Sequence, residues 1–270
     1  MHPERQVPRL QRRYREAHVR GYPAGARSRH SGGLTLVEVL VSLLILGVVT
    51  VAALQIQSST SMLSNVQISQ AQRLQNLSDT SGYLADQIRA GAGVYTGLTL
   101  PNGLGGTAVC SPSEAQPCIA VLVPVAQPSS CTTNVGSILA WRLHVFRYVP
   151  RGTLPAEYKG LGGLQDGDAH GLLEVRISDP ARPAPAPGVC GTTEQETPPT
   201  SLSAYLSSTS TVTVPIADDL RVQAGTLPFE YNSATEVVTM RLQSASRVRG
   251  ELRLTPAVTP YELKVKTRNS

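Results

Sequence analysis

Aromatic side chains are scarce, with two Phe and one Trp in 270 residues and a 4% aromatic share carried mostly by nine Tyr. The supply of base-stacking platforms for nucleic acid is therefore small. Catalytic apparatus is equally thin. Of five His, only His144 and His170 lie beyond residue 33, and no G-x-S-x-G elbow or H-E-x-x-H pair occurs. None of the four Cys belongs to a C-x-x-C pair, and none precedes residue 110, which argues against a zinc ribbon. Proline is absent between Pro23 and Pro101, so nothing there forbids one long helix. There is no internal repeat. These absences point away from an enzyme and call for neither cofactor nor metal.

Charge is present but unevenly placed. Residues 1–33 hold eight of the 24 basic and two of the 19 acidic residues, leaving 16 and 17 for the rest, so the overall +5 belongs to this leader. An apolar run follows at once. Leu36 to Leu54 is 19 residues with a single carboxylate, Glu38. At ~1.5 Å per residue it spans about 28 Å, roughly a bilayer's hydrocarbon thickness. Positive charge ahead of such a run keeps the leader cytoplasmic and sends the C-terminus outward. Ser42, Gly47 and Thr50 place small side chains in the run, where helices approach one another closely. A carboxylate inside a membrane-length helix is expensive and marks a functional site that needs a partner.

The junction itself reads S-G-G-L-T-L-V-E-V-L-V from Ser31 to Val41. It resembles the N-terminus of type IV prepilins: a Gly–Leu cleavage junction, a Glu five residues into the mature chain, and an uninterrupted apolar helix. Position 34 is Leu where Phe is commonest, and the 33-residue leader exceeds the usual length; a start at Val19 would shorten it. The resemblance implies cleavage by a prepilin peptidase between Gly33 and Leu34 and methylation of the Leu34 amine. It also implies an assembly role for Glu38, pairing with the N-terminal amine of an adjacent subunit. The partners it brings are other pilins or pseudopilins and an inner-membrane assembly platform.

Past the membrane run, Leu63, Val66, Gln70, Leu74, Leu77, Ser81, Leu84 and Ile88 recur every three or four residues, one face of a helix. Gly91-Ala-Gly93 is a stop. The expected organisation is a basic leader at 1–33, a transmembrane or filament-core helix at 34–56, its amphipathic extension at 57–93, and an exported β-rich domain at 94–270. Strands are expected at Ile119–Val125, Ile138–Val149, Leu172–Ser178, Thr211–Ile216, Glu236–Leu242, Glu251–Leu254 and Tyr261–Thr267. In the second, Leu139, Trp141, Leu143 and Val145 share one face, and Arg142 and His144 take the other. The fold class is α+β and pilin-like, with the amphipathic half-helix packed on an antiparallel sheet.

An even count of outward cysteines, Cys110, Cys118, Cys131 and Cys190, predicts two disulfides and leaves three pairings open. The most local choice joins Cys110 to Cys118 and leaves Cys131 for Cys190. Asp166-Gly-Asp168 with His170, and Asp218-Asp219, are candidate cation loops whose plainer reading is a solvated turn. P-A-R-P-A-P-A-P-G from Pro180 is an exposed extended loop. Residues 241–270 carry seven Lys/Arg against Glu251 and Glu262. Lys264, Lys266 and Arg268 alternate with Leu263, Val265 and Thr267, a strip that faces solvent, an acidic neighbour or, less readily, extracellular DNA.

The late pattern V-V-T-M-R-L, then a closing strand ending T-R-N, is similar to PilW-type minor pilins and the J-type pseudopilins of type II secretion. The function expected is a minor pilin-like subunit that primes or joins a pilus for motility, adhesion or DNA uptake. The alternatives are a minor pseudopilin and a membrane-anchored adhesion or binding protein.

Overall fold

Thr35 precedes the first helix: its Oγ1 accepts the backbone N–H of Glu38 at 3.3 Å, and its carbonyl accepts the N–H groups of Glu38 and Val39. This is an N-cap, and it launches a 55-residue helix, α1, over Leu36–Ala90. In this computed structural model the described residues are 35–100, 109–132, 136–159, 164–186, 188–191, 197–248 and 250–267. The chain divides into two compact units between Ser59 and Thr60.

In the first unit every described residue is exposed. Its hydroxyls are nonetheless satisfied, Ser42 donating to the Glu38 carbonyl at 2.8 Å and Thr50 to the Leu46 carbonyl at 2.7 Å. Bonded back to their own helix, these side chains behave as small apolar ones. Gly47 has open space where a Cβ would stand.

In the second unit α1 runs on to Ala90. Gly91 then ends it, its N–H donating to the carbonyls of Gln87 and Ile88 at 3.0 and 3.2 Å. A Cβ at Gly91 would drive into Cγ1 of Val121, so the chain can turn off the helix this close to the sheet only as glycine. The buried helix residues are Leu77, Thr80, Ser81, Leu84, Ala85 and Ile88. The periodic stripe expected from Leu63 is thus covered only in its last four turns; Leu63 and Leu74 remain exposed. Periodicity shows which residues share a face, and the extent of the domain decides how many are covered.

After α1 come β1 (Gly93–Tyr95), β2 (Leu98–Thr99), β3 (Val109–Cys110), β4 (Cys118–Ala126), β5 (Ile138–Pro150), β6 (His170–Ser178) and a short helix α2 (Ser203–Leu206). Then follow β7 (Thr211–Leu220), β8 (Phe229–Asn232), β9 (Val237–Leu242), β10 (Ser244–Val248), β11 (Glu251–Thr255) and β12 (Tyr261–Lys266). They form an antiparallel sheet in the order β1-β4-β5-β6-β7-β10-β11, a second in the order β12-β9-β8, and the pair β2-β3. The architecture is α+β: a long apolar N-terminal helix followed by an antiparallel sheet domain.

The large sheet is buried on both faces. One face puts Ile119, Val121, Phe146, Tyr148 and Leu172 against Leu77, Leu84, Ala85 and Ile88 of α1, together with Phe229, Val238, Met240 and Leu242 of the small sheet. The other packs Leu122, Trp141, Leu143, Val145, Val175 and Ile177 under Leu100 and Tyr205. The Arg142/His144 side of β5 is therefore the side that meets α1, and His144 is buried there.

Other expectations are corrected in detail. Glu236 lies outside β9 at φ +56°, in a turn where Asn232 Oδ1 accepts the N–H groups of Ala234 and Thr235. Thr267 lies beyond the end of β12, and β7 runs four residues past Ile216. β1, β2, β3, β8 and β10 are additional strands. The cysteines pair as Cys110–Cys118 and Cys131–Cys190.

Candidate functional site

Gly33 and Leu34 lie outside the described residues, so the site begins at Thr35 and is dominated by Glu38. Thr35 and Glu38 stand in the T-x-x-E spacing of a helix start, with Glu38 as third residue of α1. A carboxylate in the first turn is favoured by the helix dipole, by roughly 0.3–1 kcal/mol where solvent reaches it. From Val39 to Gln72 no charged residue follows.

The flanking side chains are bare: Leu36, Val37, Leu40, Leu44 and Leu46 are all more than half exposed. The most apolar 18-residue window of α1 has a mean hydropathy of 2.6 and none of it is buried, which makes it long and apolar enough to cross a membrane. A helix apolar on every side needs lipid or other helices around it. Among the described residues Glu38 is the one charged side chain on α1 before Arg73, and an unpaired charge in such surroundings is costly.

The carboxylates of the candidate cation loops resolve into internal ion pairs. Asp166 faces Lys159 Nζ at 3.1 Å and Arg151 at 3.6 Å, and Asp168 faces Arg247 at 2.7 Å. The bond from Arg247 is the main reason the Asp168 carboxyl sits below its ordinary range. Asp218 and Asp219 both lie 3.1 Å from Nε of Arg151, itself buried. Burial, then the neighbouring Asp218, pushes the Asp219 carboxyl up. No group of three metal-ligating side chains occurs among the described residues.

Lys264 and Lys266 do face outward while Val265 is buried, and Arg268 lies outside the described residues. Carboxylates interleave the strip: Glu262 stands 3.3 Å from Lys264 and 2.9 Å from Arg241, which also meets Glu230. Lys264 is thus answered on its own sheet, which weakens the DNA reading.

One cluster has no counterpart in the sequence reading. The fully buried carboxylate of Glu174 on β6 receives Nδ1–H of His144 at 2.6 Å and Nη2 of Arg176 at 2.7 Å. The Tyr83 hydroxyl on α1 approaches both its oxygens. Burial pushes this carboxyl up, but the bonds from His144, Arg176 and Tyr83 prevail and bring it down to about 2. The only sequence signal was its register: Glu174 lies opposite Phe146 and Arg176 opposite His144, on the face turned to α1. The group holds helix to sheet.

Comparison with protein families finds a match at residues 28–54 to the prokaryotic N-terminal methylation motif. The matched span contains Gly33, Leu34, Thr35, Glu38 and the whole apolar run to Leu54. No curated protein and no solved structure matches the chain. The chain thus has a prepilin-type N-terminus, which implies processing by a prepilin peptidase and assembly with other pilins in a pilin- or pseudopilin-like role. Motif and apolar helix together fit anchoring in the inner membrane, with the C-terminal domain beyond the anchor.

Proposed function

We propose that the chain is a minor type IV pilin-like subunit, a non-catalytic protein that primes or joins a pilus. The observation that carries this reading is the bare apolar helix directly behind the methylation motif, with Glu38 as its sole charge before Arg73. The leader stays cytoplasmic while the helix enters the membrane and the domain is exported. Prepilin peptidase then cuts between Gly33 and Leu34, and the new Leu34 amine is methylated.

The assembly platform next moves the helix from lipid into a bundle of pilin helices. There the Glu38 carboxylate meets the Leu34 amine of an adjacent subunit. In a low-dielectric bundle an unpaired charge is strongly disfavoured, so this pair sets register more than it adds net stability. No cofactor enters the scheme.

A minor pseudopilin of a type II secretion system uses the same anchor and the same pair, and a deletion strain separates the two. Loss of surface pili with normal exoprotein secretion supports the pilin reading; loss of secretion with normal pili supports the pseudopilin. If both persist while attachment to surfaces is lost, the chain is a membrane-anchored adhesion protein instead.

A further inference from the structure

The segment between β6 and Gly191 belongs to neither the anchor nor the two cores. It reads D-P-A-R-P-A-P-A from Asp179 to Ala186, with Pro187 next in sequence. Proline fixes φ near −65° and removes a backbone donor, and a residue before proline is pushed to extended conformations. Pro180, Pro183 and Pro185, with Arg182, Ala184 and Ala186 each preceding a proline, hold all of residues 180–186 except Ala181 in this way. The backbone hydrogen bonds fall accordingly. At the near end Ala181 N–H donates to Asp179 Oδ1 at 2.9 Å and Arg182 N–H to the Asp179 carbonyl at 3.1 Å. At the far end Val189 N–H donates to the Ala186 carbonyl at 3.0 Å, beside Gly188 at φ +80°. Between these turns lies an extended arm of about 15 Å at ~3.1 Å per residue.

Both ends of the arm are fixed to the body. The near end leaves β6 at Ser178, whose N–H donates to the Ser210 carbonyl at 3.3 Å and whose partner across the sheet is Arg142. The far end is held twice. Cys190 is joined to the buried Cys131, with Cα atoms 5.8 Å apart. The buried side-chain amide of Gln127 grips Gly191, Nε2 donating to its carbonyl at 3.3 Å and Oε1 accepting its N–H at 3.1 Å. Gly191 sits so close to Leu139 that a Cβ would come within 2.7 Å of it.

What the arm offers is apolar. Pro180, Ala181, Pro183 and Ala186 are exposed, Val189 is 51% exposed, and Arg182 is the one charge along it. Tyr205 is buried in the neighbouring core, with its hydroxyl donating to the Trp141 carbonyl. An extended, donor-poor, proline-spaced ribbon already ordered before binding is the ligand form that aromatic-lined grooves select, because little conformational entropy remains to be lost.

We propose that residues 182–186 are a preformed docking ligand for an aromatic-lined groove on another extracytoplasmic protein, with Arg182 directed at a carboxylate on the groove's rim. The proposal takes from the functional reading only the outward placement of the domain, and holds whether or not the chain enters a filament.

The test is site-specific photo-crosslinking of the full-length protein in its own host membrane. A benzophenone side chain is placed at Ala184, and at Val258, 80% exposed, as the control. The probe is used on the wild-type arm and on a P183G/P185G arm. Mass spectrometry of intact protein confirms that Cys131–Cys190 is oxidised in each variant, and an unchanged melting temperature confirms the fold. The expected result is one discrete conjugate from Ala184, mapped to aromatic residues of a single partner and reduced roughly tenfold in the glycine arm. The proposal is overturned if Ala184 yields no conjugate beyond the Val258 control. It is equally overturned by a conjugate mapping away from aromatic residues, or by an unchanged yield from the glycine arm. Normal leader cleavage alongside any of these outcomes leaves the functional reading standing.

Discussion

Tyr83 on the long helix places its hydroxyl 2.9 and 2.8 Å from the two carboxylate oxygens of Glu174, which is buried in the sheet 91 residues later. Arg176 closes the triangle, its Nη2 donating to the Tyr83 oxygen at 3.0 Å. The apolar contacts of Leu77, Leu84 and Ile88 press helix on sheet without fixing their relative register, because hydrophobic contact is non-directional. The phenol supplies the direction. Tyr83→Phe is expected to remove about 1.5–3 kcal/mol from the domain, the worth of a hydrogen bond to a charged group, read as a lowered melting temperature.

The same carboxylate gives the domain an acid limit. Glu174 is held at about 2 in the fold, against an ordinary value of 4.5. A group depressed in the folded state contributes fully above its unfolded value and loses that contribution as pH falls toward the folded one. Stability should therefore be flat in this respect above pH 4.5 and decline between 4.5 and about 2, by on the order of 2–3 kcal/mol. Thermal unfolding across that window checks it, and E174Q should flatten the decline while lowering stability at neutral pH.

Gly91 is a steric prediction. Gly91→Ala puts a methyl group into Val121 at the point where the chain leaves the helix for the sheet. The overpacking should lower stability by about 1–3 kcal/mol, measured by denaturant titration. G47A, where a Cβ meets open space, should change nothing in the same measurement.

The two disulfides should differ in weight. On loop-closure entropy, Cys131–Cys190 spans 59 residues and is worth about 4 kcal/mol, whereas Cys110–Cys118 spans 8 and is worth about 2.5 kcal/mol. Paired Cys→Ser variants of each, compared by melting temperature, test the order.

How much of this was legible beforehand varied with the kind of signal. The N-terminus declared itself because Gly33, Glu38 and an unbroken apolar run are strong local signals at fixed offsets, and α1 followed from the lack of proline. Strands β4, β5, β6 and β9 read well from their β-branched and aromatic runs. β10, S-A-S-R-V, did not, since a short polar sequence becomes a strand only through its partners β11 and β7. Nothing in L-E-V-R-I singled out Glu174. Its burial depends on Tyr83 and His144, which sequence distance conceals. The stripe of α1 from Leu63 to Leu74 was read correctly as one face, but nothing in its residues told where the domain stops covering it.

Glu38→Gln addresses assembly without disturbing the fold, since the residue is exposed in the helix's first turn and its cap bond runs through the backbone. Membrane insertion and leader cleavage should remain at wild-type level, while incorporation into sheared pili, measured by immunoblot, should fall by about tenfold or more. Unchanged incorporation would remove Glu38 from the register role.

The central claim is that the chain becomes a mature subunit beginning at Leu34, with its apolar helix retained. Mass spectrometry of the N-terminus from the membrane fraction, with and without the host's prepilin peptidase, tests it most directly. The account predicts a peptide starting at N-methylated Leu34 that is present only with the peptidase. An intact leader in both strains, or a cut beyond the apolar run, would contradict it.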